Sequence, residues 1–282
     1  HMSATVRVIE PRHPGLPHRF RELWTYRRLI PFFSKQYIRK RYINTYLGWW
    51  WLPLRPVLEV GARVLLFGAL LKVPSEGVPY LIFLLVGMSC WQLFQGGLYW
   101  ATRSTELNKR FLGKIYLPRL LLLVSSISVE LLELFMFAVI IALVVGFYAI
   151  LDGVVYVQLG PGLLIALAGY LMAIGLVWAL GLFTSVYGAQ SRDMRFALTR
   201  ILAFWFFITP VLYPISIVPE QFRTLMALNP MTGPVELVKW GLLGVGEVQP
   251  LAVTASLATI ATIGVAGLFF FASSEAAAVD NL

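Results

Sequence analysis

The sequence is poor in the side chains that most enzymes use. It has one cysteine, Cys90, and three histidines, His1, His13 and His18, all near its N-terminus. A single cysteine excludes an intrachain disulfide and a cysteine-based metal site. No His/Cys/carboxylate cluster is present, so no bound metal is expected. Charged residues make up 13% of the chain, against about 25% in an average soluble domain. There is no glycine-rich phosphate loop: Gly113-Lys114 is followed by Ile115 and lacks the glycine spacing. On the side of the apolar segments where the bases gather, the main acids are Glu106 and Asp193. Membrane-bound glycosyl or phosphoryl transfer normally needs several acids there, for metal or base work. The chain is therefore expected not to be an enzyme and to have no catalytic residue. Any ATP that drives it is hydrolysed elsewhere.

What the chain has is apolar length. Hydrophobic residues make up 59% of it, and apolar runs of 18 or more residues read as spanning helices. They are too continuous for the alternating strands of a β-barrel. The runs predict an all-α polytopic membrane protein with six spans, at about 49–71, 80–101, 120–150, 161–188, 201–212 and 251–272. The fifth is short and ends among Pro210, Pro214 and Pro219. Residues 1–18 read as a polar, proline-rich tail opening on a His1-Met2 tag scar. Residues 19–48 mix aromatics with bases and read as an amphipathic helix in the membrane interface, ahead of a transmembrane domain over 49–282. Residues 219–247 are semi-polar, with Pro230, Pro234 and several glycines, and suit short helices that dip into the membrane without crossing. No signal peptide and no inverted repeat are expected.

The bases give the orientation. Of 23 Lys and Arg, eighteen fall in three segments, 1–48, 103–119 and 189–200. Only Lys72, Arg223 and Lys239 fall on the other side, and Arg55 and Arg63 lie within the first span. This asymmetry predicts both termini in the cytoplasm of a multi-pass inner-membrane protein. It also accounts for the net charge of +9 without nucleic acid.

Several residues are candidates for chemistry. Arg55, Glu59 and Arg63 recur at i, i+4, i+8 on one face of the first span. They read either as a salt-bridge ladder that fixes packing or as the polar wall of a substrate path. Glu130 and Glu133 carry the same two readings. Aromatics at span ends and in the fifth span, among them Trp49, Phe204, Trp205, Phe207 and Tyr213, read as interfacial belts or as rings that stack on sugars. The connector 103–119 reads as a positive-inside loop or as a docking helix for a cytoplasmic partner.

A set of short elements runs through nearly the whole chain. They are Arg41-Tyr42 with Leu47-Gly48-Trp49 and Pro53; Val78-Pro79-Tyr80, Gly87 and Trp91; Asn108, Lys114 and Leu117-Pro118-Arg119; Arg192-Asp193; Thr209-Pro210-Val211 with Tyr213-Pro214; Val218-Pro219; and Leu228-Asn229-Pro230-Met231. In this order and spacing the chain resembles the permease subunits of ABC-2 type exporters of surface polysaccharides, which include O-antigen, capsule and teichoic-acid exporters. It departs from them at Lys35-Gln36, where the family often has Arg-Asp, and at Thr209, where it often has Ser.

The resemblance implies a homodimer in the bacterial inner membrane with two copies of a separate cytoplasmic ABC ATPase. That subunit carries the ATP and Mg, and this chain binds no cofactor. The substrate implied is a polyprenyl-diphosphate-linked polysaccharide, as in O-antigen and lipopolysaccharide biosynthesis. Its path would be lined by Trp49, Arg55, Glu59, Arg63, Phe204, Trp205, Phe207 and Tyr213. The lipid diphosphate would meet Arg27, Arg28, Arg39, Lys40 and Arg41, since arginine suits bidentate phosphate contacts. Asn108, Lys109, Arg110, Lys114 and Arg119 would pass ATPase movement to the spans, and the segment 213–247 would form periplasmic re-entrant helices at the exit. The alternative is an ABC-2 exporter of a small amphiphile, a drug or a lipid.

Overall fold

A computed structural model describes residues 15–280, with side chains to Glu275; residues 1–14, which hold the His1-Met2 scar and most of the expected tail, lie outside the described residues. Among the described residues the regular structure is all helical. In chain order the helices are α1 (Leu16–Thr25), α2 (Ile30–Tyr42), α3 (Trp51–Arg63), α4 (Tyr80–Leu107), α5 (Lys109–Leu112), α6 (Arg119–Ser126), α7 (Ser128–Asp152), α8 (Gly162–Gln190), α9 (Arg192–Ile208), α10 (Glu220–Ala227), α11 (Thr232–Leu243) and α12 (Pro250–Asp280). A π-helical stretch, Val64–Leu70, continues α3, and the amide of Leu71 reaches back to the Leu66 carbonyl at 3.0 Å.

Local chemistry explains where these helices start and stop. α1 begins inside the expected tail because Pro17 stands in its first turn, where a missing N–H costs nothing. Residues 191–200 form the first half of α9, where the sequence suggested a loop. The Ser191 hydroxyl caps that helix by accepting from the Met194 amide at 3.4 Å, and Asp193 adds a negative charge in the first turn. α9 ends at Ile208 because Thr209 precedes Pro210 and is extended, at φ −101° and ψ 136°. α7 ends on Gly153 in the left-handed conformation, φ 68°. The third apolar run breaks into α6 and α7 at Ile127, beside Ser125, Ser126 and Ser128, whose hydroxyls each donate to a carbonyl three or four residues back.

Four helical segments are long and apolar enough to cross a membrane: Tyr80–Leu112, Arg119–Asp152, Gly162–Gln190 and Pro250–Glu275. α9, with 17 residues, and α3, which carries Arg55, Glu59 and Arg63, are not among them.

α4 is the axis of the bundle. It is buried for most of its length and packs against α7, α8, α9 and α11. A second apolar cluster joins Phe33, Tyr37 and Tyr42 of α2 to Trp100, Leu121, Leu122 and Val129. The interface segment thus turns these three rings into protein and leaves Trp24 and Phe32 outside.

Small residues set the distance between α8 and α11. A Cβ on Gly241 would stand 2.6 Å from the backbone nitrogen of Ala166 and equally close to the carbonyl of Gly162. Neither backbone can give way, and small residues at such contacts are how membrane helices approach closely. Gly146 of α7 has nothing within 4 Å of a Cβ. Gly241→Val is expected to cost about 1–3 kcal/mol through overpacking. It should lower the melting temperature of the detergent-solubilised protein, followed by tryptophan fluorescence, while Gly146→Ala leaves it unchanged or slightly raised. Equal melting curves for Gly241→Val and wild type would contradict this packing.

Candidate functional site

The candidate site grows from a buried charge cluster. α7 carries Glu130 and Glu133 one turn apart, both essentially without exposed surface. Arg41, from the last turn of α2, reaches between them: its Nη2 lies 2.6 Å from Glu133 Oε1 and its Nη1 3.4 Å from Glu130 Oε1. The Tyr42 hydroxyl donates to Glu133 at 2.7 Å. Arg55 of α3 approaches the same carboxylate at 4.0 Å and Glu59 at 3.8 Å. The Glu130 carboxylate lies against Gly96 of α4, where a Cβ would overlap it. The Arg41 guanidinium also lies over the Trp100 ring, 5.7 Å from its centroid. One cation thus ties α2 to α7 and α4, with α3 attached through Arg55.

The ladder read from the first span is only half present. Arg55 and Glu59 pair, but Arg63 donates to the Glu59 backbone carbonyl at 2.9 Å and rests over the Phe206 ring of α9, at 5.1 Å. It therefore joins α3 to α9.

Beside the cluster lies a groove of about 430 Å³ between α2, α3, α4 and α9. Lys40, Arg41, Arg55 and Arg103 line it, with Gln95 and Trp100. The Lys40 ammonium donates to the Leu107 carbonyl at 2.7 Å. Burial, and then the neighbouring Arg103, lower its pKa. Of the bases assigned to a lipid diphosphate, the structure brings Lys40 and Arg41 to this groove. Arg27, Arg28 and Arg39 are exposed on the outer surface, Arg27 over Trp24 at 4.5 Å. Arg55 and Arg103 join the basic set, and the sequence reading had not grouped them with Lys40.

The aromatic candidates also divide. Phe204 and Phe207 of α9 are exposed, at 78% and 57%. Trp49 is exposed and stacks on Tyr42 at 5.4 Å. Trp205 turns inward: its Nε1 donates to Asn229 Oδ1 at 2.7 Å, and its ring meets the edge of Phe94 at 5.1 Å. Asn229 also donates to Thr209 Oγ1 at 2.9 Å, so Trp205 belongs to the joint between α9 and the 229–231 turn. The Tyr213 hydroxyl donates to the Phe207 carbonyl at 2.8 Å.

Among the connector residues, Asn108 is buried. Its Nδ2 donates to the Tyr37 hydroxyl and to the Ser104 carbonyl, each at 2.8 Å, and Tyr37 donates onward to the Leu122 carbonyl at 3.2 Å. Asn108 therefore clasps α2 to the end of α4. Lys109 donates to the Ala189 carbonyl at 3.0 Å and, like Arg110 and Lys114, is exposed. Arg119 is partly buried at the start of α6.

No protein-family model matches the chain. It is 30% identical over 215 residues to the O-antigen export system permease protein RfbA of Myxococcus xanthus, covering 75% of this chain and 78% of that protein. Two Klebsiella pneumoniae proteins of the same name are similar as well. One is 23% identical over 203 residues, 72% of this chain and 75% of its own, and the other 22% identical over 244 residues, 84% and 90%. Relatives of one name, aligned over most of both chains, agree with the motif order along the sequence and with the long apolar helices. The chain belongs to the O-antigen export permease family, the surface-polysaccharide branch of the ABC-2 type permeases.

Proposed function

We propose that this chain is the membrane subunit of an ATP-driven exporter that moves a polyprenyl-diphosphate-linked polysaccharide outward across the bacterial inner membrane. The observation that carries this reading is the basic groove walled in part by Thr199 and Leu202 of α9, a helix that also exposes two aromatic rings. A diphosphate needs clustered cations, which Lys40, Arg55 and Arg103 supply. A sugar chain needs flat apolar rings, which Phe204 and Phe207 offer. In this reading α3 with its π-helical extension and α9 complete six spans, α10 and α11 dip into the membrane from the periplasm, and both termini are cytoplasmic. Two copies face each other across α3 and α9, and two copies of a separate ABC ATPase bind below. Residues 19–48 form the interface unit, and 49–282 the transmembrane domain.

ATPase movement would enter at Arg110 and Lys114, exposed bases of the connector whose side chains make no hydrogen bond or ion pair with another helix among the described residues. From there it has a continuous route. Asn108 and Tyr37 join the connector to α2, and Arg41 joins α2 to Glu133 and, through it, to Arg55 of α3.

Depleting the protein in its native cell should make long lipid-linked glycan accumulate inside, with loss at the surface. An unchanged glycan profile would turn the assignment to export of a small amphiphile. Arg41→Ala leaves two buried carboxylates without their cation and is expected to cost about 3–5 kcal/mol. The melting temperature and export should fall together, with partial recovery in Arg41→Lys. Normal export by the alanine variant would remove the cluster from the transmission route. The double charge reversal Arg110→Glu with Lys114→Glu should leave insertion and melting intact while glycan export is lost and ATP hydrolysis by the complex no longer responds to substrate. Full export by that variant would sink the docking role.

A further inference from the structure

A cavity not used by the preceding argument lies at the other side of the connector. It is an open hollow of about 590 Å³ between the ends of α4, α8 and α12, the short helix α5 and the start of α6. That volume is within the roughly 300–1,000 Å³ of small-molecule sites. Its walls are apolar and stiff: the Phe270 ring stacks between Phe183 at 5.1 Å and Tyr187 at 5.5 Å. Two bases, Lys109 and Arg119, line it, and no carboxylate does.

Nearby acids do not neutralise those bases. Glu106 is engaged by Arg103 at 3.2 Å and Arg195 at 3.7 Å. Glu275 pairs with Arg19 of α1. Lys109 donates to one backbone carbonyl, and the Arg119 guanidinium makes no hydrogen bond or ion pair among the described residues. The connector's bases are therefore sorted. Arg110 and Lys114 lie outside the cavity, and Lys109 and Arg119 line it.

We propose that this cavity is a site for an anionic phospholipid, with its phosphate between Lys109 and Arg119 and its first acyl carbons against the Tyr187 and Phe270 rings. A membrane phospholipid is the ligand that joins one negative phosphate to an apolar tail, and anionic headgroups are drawn to bases at a membrane surface. The proposal takes from the preceding reading only that this end of the bundle lies at the membrane surface. A lipid held there would touch α4, α5, α6, α8 and α12 together, and so brace the connector from the membrane side.

The lipid-retention measurement uses the full-length protein in neutral detergent, without ATPase or glycan, so it is independent of the export assignment. The protein is equilibrated with phosphatidylglycerol or phosphatidylcholine, and retained lipid is read by native mass spectrometry. Wild type should retain phosphatidylglycerol several-fold better. Arg119→Gln should remove most of that preference and leave phosphatidylcholine retention unchanged. Ser274→Trp, which fills the cavity from α12, should reduce retention of both. Melting curves establish that each variant is folded, and the two substitutions act from different helices. Equal retention of the two lipids by wild type, or an undiminished preference in Arg119→Gln, overturns the proposal. Shielding of Arg119 from chemical modification by added ATPase but not by phosphatidylglycerol also overturns it, and assigns the cavity to the protein partner.

Discussion

The burial of Glu130 and Glu133 is tenable because the guanidinium of Arg41 lies between them. A carboxylate held away from water loses several kcal/mol of hydration, and only close, well-directed partners return it. Arg41 brings its charge against both carboxylates from another helix and hydrogen-bonds Glu130, the Tyr42 hydroxyl hydrogen-bonds Glu133, and the charge of Arg55 stands 4.0 Å away. The requirement for those partners fixes much else. α2 must end where its last turn can reach α7, so the interface segment is locked into the bundle. α4 must present no side chain at Gly96. α3 cannot slide along α7 without weakening the contact between Arg55 and Glu133. The charges that were costly to bury thus set the relative positions of four helices.

A second joint deals with irregular backbone. Between α9 and α10 the chain turns at three prolines, and its carbonyls have no helical partners. Side chains from elsewhere take them up. Lys239 of α11 donates to the Pro210 carbonyl and lies over the Phe83 ring at 4.0 Å, Tyr80 of α4 donates to the Leu212 carbonyl at 2.7 Å, and Asn229 bridges Thr209 and Trp205. Buried non-helical backbone is tolerated when its polar groups are paired in this way. One of the groups that close the turn, Lys239, is carried by α11, the helix that packs so tightly on α8.

How much of this was legible in the sequence follows from the range of the interactions. Long apolar runs need no tertiary information, so the starts of α4 and α8 agree with the sequence reading to within one residue. The Arg-rich start of α9 read as a loop because its charges were weighed above the capping chemistry of Ser191 and Asp193. At the site, the i, i+4 rule found Arg55 with Glu59, since both stand on one helix. It gave no partner for Glu130 and Glu133, because theirs comes from a helix distant in the chain. Nor does composition separate Trp205, which is hydrogen-bonded into a joint, from Phe204 beside it, which is exposed. Asn108 reads as a polar connector residue until the Tyr37 hydroxyl is seen against it.

The contact between Gly96 and Glu130 has a historical consequence. The carboxylate occupies the volume where any other residue at 96 would place its Cβ. A side chain at 96 would push the Glu130 carboxylate from its place beside Arg41, while a shorter acid at 130 leaves a hollow that a side chain at 96 can fill. The two positions, on different helices, share one volume. Divergence among permeases of this kind at either one should be readable from the other.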